Sequence, residues 1–179
     1  MHEVAVFVGS LRRASNNRKL GRALEKLSSD KFTFRYPDLY LPLYNDDLWA
    51  EPPAAVLKMK EEIASASAVL FITPEHNRSI PPVISNAIDW GSRPWGENSW
   101  AGKPAAIVGT SPGQIGTAVA QAHLRSVLLP QEMIVMGQPE IYFSKPASIE
   151  EDGTVTDEQG LALLNRFVDR FSEWIERMT

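Results

Sequence analysis

Ala68-Val69-Leu70-Phe71-Ile72-Thr73-Pro74-Glu75-His76-Asn77-Arg78-Ser79-Ile80-Pro81 runs from a continuous apolar stretch through a polar turn to a proline able to open a helix. An unbroken apolar run of this kind reads as a strand covered on both faces, as in a parallel sheet; a half-exposed strand would alternate. Val4-Ala5-Val6-Phe7-Val8, Ala105-Ala106-Ile107-Val108 and Met133-Ile134-Val135-Met136 repeat the pattern. Phe32-Thr33-Phe34-Arg35-Tyr36 alternates, which puts it at a sheet edge. Helical periodicities lie between these runs: Leu20, Leu24 and Leu27; Val56, Met59 and Ile63; Val83, Ile84, Ala87 and Ile88; Ile115, Val119 and Ala122. The last segment carries the clearest stripe, Leu161, Leu164, Phe167, Val168, Phe171, Trp174, Ile175 and Met178. Strand and helix thus alternate, and with right-handed crossovers the chain is predicted to be an α/β doubly wound three-layer sandwich with a five-stranded parallel sheet in the order 2-1-3-4-5. Ligands of such sheets bind beyond the carboxyl ends of strands 1, 3 and 4.

At 179 residues, 44% hydrophobic and 22% charged, the chain suits a single domain spanning residues 1–179 with a real core. A formal charge of −4 argues against a broad basic face, so nucleic acid is not an expected partner. No apolar run approaches the ~20 residues that span a bilayer, and Met1-His2-Glu3-Val4 lacks the features of a signal peptide. Membrane insertion is therefore not expected, and a cytoplasmic location is. The chain has no cysteine, which removes disulfides, thiolate nucleophiles and iron–sulfur clusters. Any redox chemistry then falls to a bound cofactor, and no metal site is expected.

Three strand-to-helix loops carry unusual polar chemistry. In Gly9-Ser10-Leu11-Arg12-Arg13-Ala14-Ser15-Asn16-Asn17, hydroxyls, a guanidinium and backbone amides can converge on an anion at a helix N-terminus, as a phosphomonoester requires. The same residues also read as a simple N-cap at Ser15 or Asn16 with solvated arginines. The loop matches neither the dinucleotide-binding glycine fingerprint nor a P-loop. In the second loop, Ser79 is placed to cap the helix started by Pro81, leaving Pro74 to Asn77 extended and free to meet the polar edge of a planar heterocycle; an ordinary turn is the alternative.

Gly109-Thr110-Ser111-Pro112-Gly113 matches the G-x-S-x-G elbow of serine hydrolases. That reading fails on chemistry. The elbow's oxyanion hole needs the N–H after the serine, and Pro112 has none; no acid lies between Ser111 and His123, the only downstream histidine. Gly113 and Gly116 read instead as places where backbone approaches a flat ligand. His123 is expected to pack or to sit at an interface. His76 lies in the ring-binding loop, where it either touches ligand or merely shields the site.

Taken together, Gly9-Ser10-Leu11-Arg12 with Ser15 and Asn17, Pro74-Glu75-His76-Asn77 with Ser79, Pro81 and Asn86-Ala87-Ile88-Asp89-Trp90, then Ala101-Gly102-Lys103-Pro104 and Ser111, resemble the NADPH-dependent FMN reductase family, which includes chromate/quinone and azobenzene reductases. The resemblance runs from about Val4 to Glu140. It implies a flavodoxin-like fold and non-covalent FMN. Hydride would come from NADPH or NADH, and the small-molecule electron acceptors would be quinones, chromate, azo compounds or free flavin. It implies that Ser10, Arg12, Ser15 and Asn17 hold the FMN phosphate, and that Pro74, Glu75, His76 and Asn77 line the ring opposite Ser111 and Gly113. Arg93 would lie near the active-site mouth or a subunit contact, so that His76 and Arg93 are the candidate substrate contacts. A homodimer or homotetramer is also implied. Two positions depart from the pattern: His76 stands where the family usually has tyrosine, and Val119 and Ala122 stand where several relatives have arginine and tyrosine.

Because the flavin would supply the chemistry, no side chain is expected to act as a general base. Two other readings remain: a flavodoxin-like electron carrier that binds FMN but serves protein partners, and a ligand-sensing module with an empty site. A carrier often has a strongly acidic docking face, which a charge of −4 does not suggest.

Overall fold

The computed structural model describes residues 1–179. In chain order the regular elements are β1 (His2–Val8), α1 (Asn16–Leu27), β2 (Phe32–Arg35), α2 (Ala54–Ser65), β3 (Ala68–Ile72), α3 (Pro82–Gly91), β4 (Pro104–Thr110), α4 (Ala118–Leu128), β5 (Ile134–Val135), β6 (Tyr142–Phe143) and α5 (Glu158–Met178). The sheet is parallel in the order β2-β1-β3-β4-β5, as the apolar runs predict. Its fifth position is divided. Ile134–Val135 pairs with Pro104 and Ala105, the chain leaves the ladder around Gly137-Gln138-Pro139, and Tyr142–Phe143 resumes pairing at Gly109 and Thr110. Proline cannot donate to a ladder, which accounts for the interruption.

The two-residue period of the central strands sorts their side chains between two cores. Val4, Val6 and Val8 of β1, Leu70 and Ile72 of β3, and Ala106 and Val108 of β4 face α1 and α5. Ala5, Phe7, Val69, Phe71, Ala105 and Ile107 face α2, α3 and α4. The second core is built around aromatics: Phe7 lies 5.2 Å from Trp100 edge-on and 5.5 Å from Phe71 between ring centroids. Both Trp90 and Trp100 are fully buried and donate their indole N–H, to Pro42 and Ile88 carbonyls respectively. Of the three tryptophans from 90 to 100 only Trp95 faces solvent, at 89% exposure.

Two helix expectations need correction. The apolar stripe of α4 is Ala120, Leu124 and Leu128, whereas Ile115, Val119 and Ala122 are exposed. Ile115 precedes the helix altogether, because Gly116 at φ +61° breaks the chain before Ala118. Ser79 does not cap α3. The helix begins one residue beyond Pro81, and the Ser79 hydroxyl lies 2.9 Å from His123 Nδ1 on α4. No helix is long and apolar enough to cross a membrane.

Packing is tightest where β4 ends. A Cβ added to Gly109 would stand 2.1 Å from the Thr73 carbonyl oxygen and 2.3 Å from Thr117 Oγ1, whereas at Gly113 it would meet only the Ser111 hydroxyl, at 3.5 Å. We expect Gly109→Ala to destabilise the protein by about 2 kcal/mol or more. Gly113→Ala is expected to change stability by less than about 0.5 kcal/mol. Urea midpoints of the two variants, measured without added ligand, check the contrast.

Candidate functional site

The first loop leaves β1 at Val8 and enters α1 with Ser15 as N-cap, its hydroxyl accepting from Arg18 N–H at 3.2 Å. None of the backbone N–H groups from Leu11 to Asn17 has a partner within the protein. Unpaired amides in that number at a helix N-terminus form a cradle for an anion, and the local dipole favours negative charge. Ser10 and Arg12 border the cradle, and Arg12 makes no ion pair. Asn17 sits differently from the expectation. Its amide nitrogen donates to the Thr110 carbonyl at 3.0 Å and its oxygen accepts from Thr110 N–H at 3.0 Å. With both ends occupied and only 4% exposure, this side chain clamps α1 to the end of β4, and only its main-chain N–H is left for an anion.

The second loop is a tight turn, not the extended segment expected. His76 and Ser79 exchange backbone hydrogen bonds at 3.1 and 2.9 Å, and Asn77 and Arg78 both take positive φ, 50° and 59°. This pair of left-handed residues is the pattern of a type I′ turn, which asparagine tolerates best. The turn leaves the N–H groups of Glu75, Asn77 and Arg78 unpaired.

Glu75 reaches away from the turn to α4, accepting from the N–H groups of Val119 at 3.0 Å and Ala120 at 3.1 Å and pairing with Arg78 at 2.8 Å. Thr117, the N-cap of α4, makes no side-chain cap bond, so the carboxylate of another loop fills that role. Burial raises the Glu75 carboxyl, but the Ala120 and Val119 amides and the Arg78 guanidinium outweigh it and hold the group below the usual range. Glu75 is therefore ionised near neutral pH and fixes loop two against loop three.

In the third loop, Thr110 Oγ1 donates to the Phe143 carbonyl at 2.7 Å, Ser111 N–H donates to the same oxygen at 3.2 Å, and Ser111 Oγ accepts from Gly113 N–H. Gly116 owes its identity to the protein and not to a ligand: besides its positive φ, a Cβ there would lie 2.9 Å from the Tyr142 backbone. A cleft of about 280 Å³ opens between the second and third loops, lined by Glu75, Asn77, Arg78, Ser111, Gly113, Gln114, Ile115 and Gly116. Of the expected ring contacts, Glu75, Asn77, Ser111 and Gly113 thus meet at one surface. Pro74 packs toward Gly9 beside it, and His76 is exposed on the turn.

Arg93 is not at this mouth. α3 starts at the carboxyl end of the sheet and carries the chain back to the amino end, where Lys60 donates to the carbonyls of Gly91, Arg93 and Glu97. Within one chain, Arg93 therefore cannot touch a ligand held by the three loops. Sequence reasoning overlooked Thr110, Gln114 and the bond between Ser79 and His123. The first stood only as the variable position of the G-x-S-x-G match, the second is an unremarkable loop residue, and the third joins positions far apart in sequence. His123 serves Ser79, so it makes no hydrolytic pair with Ser111.

Known proteins resemble this chain along nearly its whole length. The sequence matches the family described as NADPH-dependent FMN reductase over residues 2–147. It is 45% identical over 175 residues to a 2-hydroxy-1,4-benzoquinone reductase of Burkholderia sp, covering 97% of this chain and 96% of that protein. It is 44% identical over 178 residues to a quinone reductase of Pseudomonas putida, covering 98% and 96%. Among solved structures, FerB, a flavoenzyme NAD(P)H:(acceptor) oxidoreductase from Paracoccus denitrificans, superposes with a TM-score of 0.97 at 50% identity over 99% of each chain. By the extent of that match, and by identities well beyond what a shared fold alone would give, the chain belongs to the NADPH-dependent FMN reductase family.

Proposed function

We propose that this protein is an FMN-dependent NAD(P)H oxidoreductase of the cytoplasm that reduces quinones, with chromate, azo compounds and free flavin as further small-molecule acceptors. The observation that carries this reading is the row of unpartnered amides from Leu11 to Asn17 opening beside the cleft of the second and third loops. An anion cradle next to a polar-edged slot suits a phosphate-bearing ring ligand, and FMN is the one the family binds. Ser10, Arg12, Ser15 and the amides of the first loop would hold its phosphate. Pro74, His76 and Asn77 on one side, with Ser111 and Gly113 on the other, would line its ring. Bound there, FMN supplies the capacity to accept hydride from a reduced nicotinamide and to pass electrons to an acceptor in a second, ping-pong step.

The protein's own share of the work is positional. The unpaired N–H groups of Glu75, Asn77 and Arg78 are fixed donors for the hydrogen-bonding edge of a ring, and fixed donors need no reorganisation as charge develops. Glu75 keeps those donors in register with the third loop through its bonds to α4. His76, exposed on the turn, stands where an acceptor would approach. Assembly as a homodimer or homotetramer belongs to this reading, with the exposed Ile115 and Val119 near the cleft as apolar groups it would cover. A partner subunit is then the only source from which Arg93 could reach a site.

The visible spectrum of protein supplied with FMN and desalted tests the reading. Flavin bands that persist after desalting and bleach on anaerobic addition of NADPH are expected. Bands that persist without bleaching would mean an electron carrier, and the loss of all bands would remove the FMN assignment. A second prediction concerns Glu75→Gln, expected to lower stability at pH 7 by about 1–3 kcal/mol and to weaken FMN retention. Since the folded carboxyl titrates below the free value of about 4.3, its contribution is complete above that pH and disappears as pH falls through the lowered folded value. Denaturation midpoints of the two proteins should therefore converge in acid.

A further inference from the structure

A cavity of about 430 Å³ lies outside the three-loop cleft, against the first turns of α1. Its walls are Val6, Val8, Leu11 and Leu39, its rim carries Tyr36 and Tyr40, and Arg18 and Arg22 project from α1. The volume falls within the ~300–1,000 Å³ range of small-molecule sites. The cavity adjoins the anion cradle directly. Leu11 belongs to both, and Arg18 Nε reaches the Ser10 carbonyl at 3.4 Å.

Charge is distributed unevenly along this helix. The loop Glu150-Glu151-Asp152 neutralises the later cations: Lys19 pairs with Glu151 at 2.6 Å, Arg22 with Glu151 at 3.6 Å and Lys26 with Asp152 at 3.1 Å. Arg18 has no carboxylate partner, and its Nη groups bond to nothing in the protein. Two acids also line the cavity, each bonded to a neutral donor. Glu25 accepts from the Tyr36 hydroxyl at 3.0 Å, and Asp38 accepts from Tyr40 N–H at 2.9 Å. A free guanidinium beside an aromatic and aliphatic slot suits a ligand with a planar base and a phosphate.

We propose that this cavity receives the adenosine 2′-phosphate end of NADPH, with Arg18 on the 2′-phosphate and Tyr40 against the adenine, so that the protein prefers NADPH to NADH. The assignment rests on the reductase reading, and it separates donor selection from the flavin cradle. Among the arginines, Arg78 is committed to Glu75 and Arg93 lies at the far end of α3, which leaves the arginines around the start of α1 for this task.

Calorimetric titration of the FMN-loaded protein with adenosine 2′,5′-bisphosphate, the donor's nucleotide half without nicotinamide, tests the site. Binding is expected, with FMN retained, and both Arg18→Ala and Tyr40→Ala should weaken it by about 10-fold or more. In steady-state assays Arg18→Ala should raise KM for NADPH by a similar factor, leaving kcat, KM for NADH and FMN affinity unchanged. The proposal is overturned if the bisphosphate does not bind, if Arg18→Ala binds it as wild type does, or if that variant loses FMN as well, which would assign Arg18 to the flavin phosphate. Should NADPH still bleach the flavin after any of those results, the reductase reading stands and only this site falls. Should NADPH fail to bleach the wild type, the donor assignment falls together with that reading.

Discussion

Asn17 and Thr110 exchange two hydrogen bonds across the buried end of the sheet, and the geometry of the ligand-facing surface follows from that exchange. A buried amide must find partners for both of its ends, and the backbone of a strand terminus supplies one donor and one acceptor side by side. The first helix is thereby fixed to the fourth strand, although the third strand does not mediate the contact. Loop one cannot drift from loop three without stranding four polar groups away from water, each at the cost of a lost hydrogen bond.

The same economy recurs around it. Glu75 satisfies the first amides of α4 that Thr117 leaves open, and Phe143 accepts from both Thr110 and Ser111. The polar side chains that the loops hold in common are spent on joining the loops to one another. What remains unpaired is largely main chain, the amides of Leu11 to Asn17, Glu75, Asn77 and Arg78, beside the Arg12 guanidinium. A surface of this kind recognises a ligand through directions fixed by the fold, and it is tolerant of the side chains above it. That is a physical reason why the side chain at position 76 is free to vary.

Much of the fold was legible because burial on two faces writes itself as unbroken apolar runs, and the strand order followed from right-handed crossovers. The site was legible as three loops but not as contacts. Asn17 and Glu75 were expected at the ligand from the family resemblance, and spacing carries no sign that their side chains also bond backbone far along the chain. The stripe on α4 was misassigned because Ile115 and Val119 fit a helical period as well as Ala120 and Leu124 do; only the positive φ of Gly116 decides where the helix begins. Arg93 was placed by analogy with a motif, and the direction of α3 removes it from the site.

The division of the fifth strand position also bears on how copies of this chain can meet. An uninterrupted outer strand offers a row of free main-chain groups on which another sheet can grow. Here one border is broken into Ile134–Val135 and Tyr142–Phe143, two residues each, and the other is the four-residue β2, where Arg35 of the border strand is paired to Glu3. Neither border is long enough to template strand addition, so uncontrolled lateral growth into fibres is disfavoured by the architecture, and self-association is directed onto helices and loops.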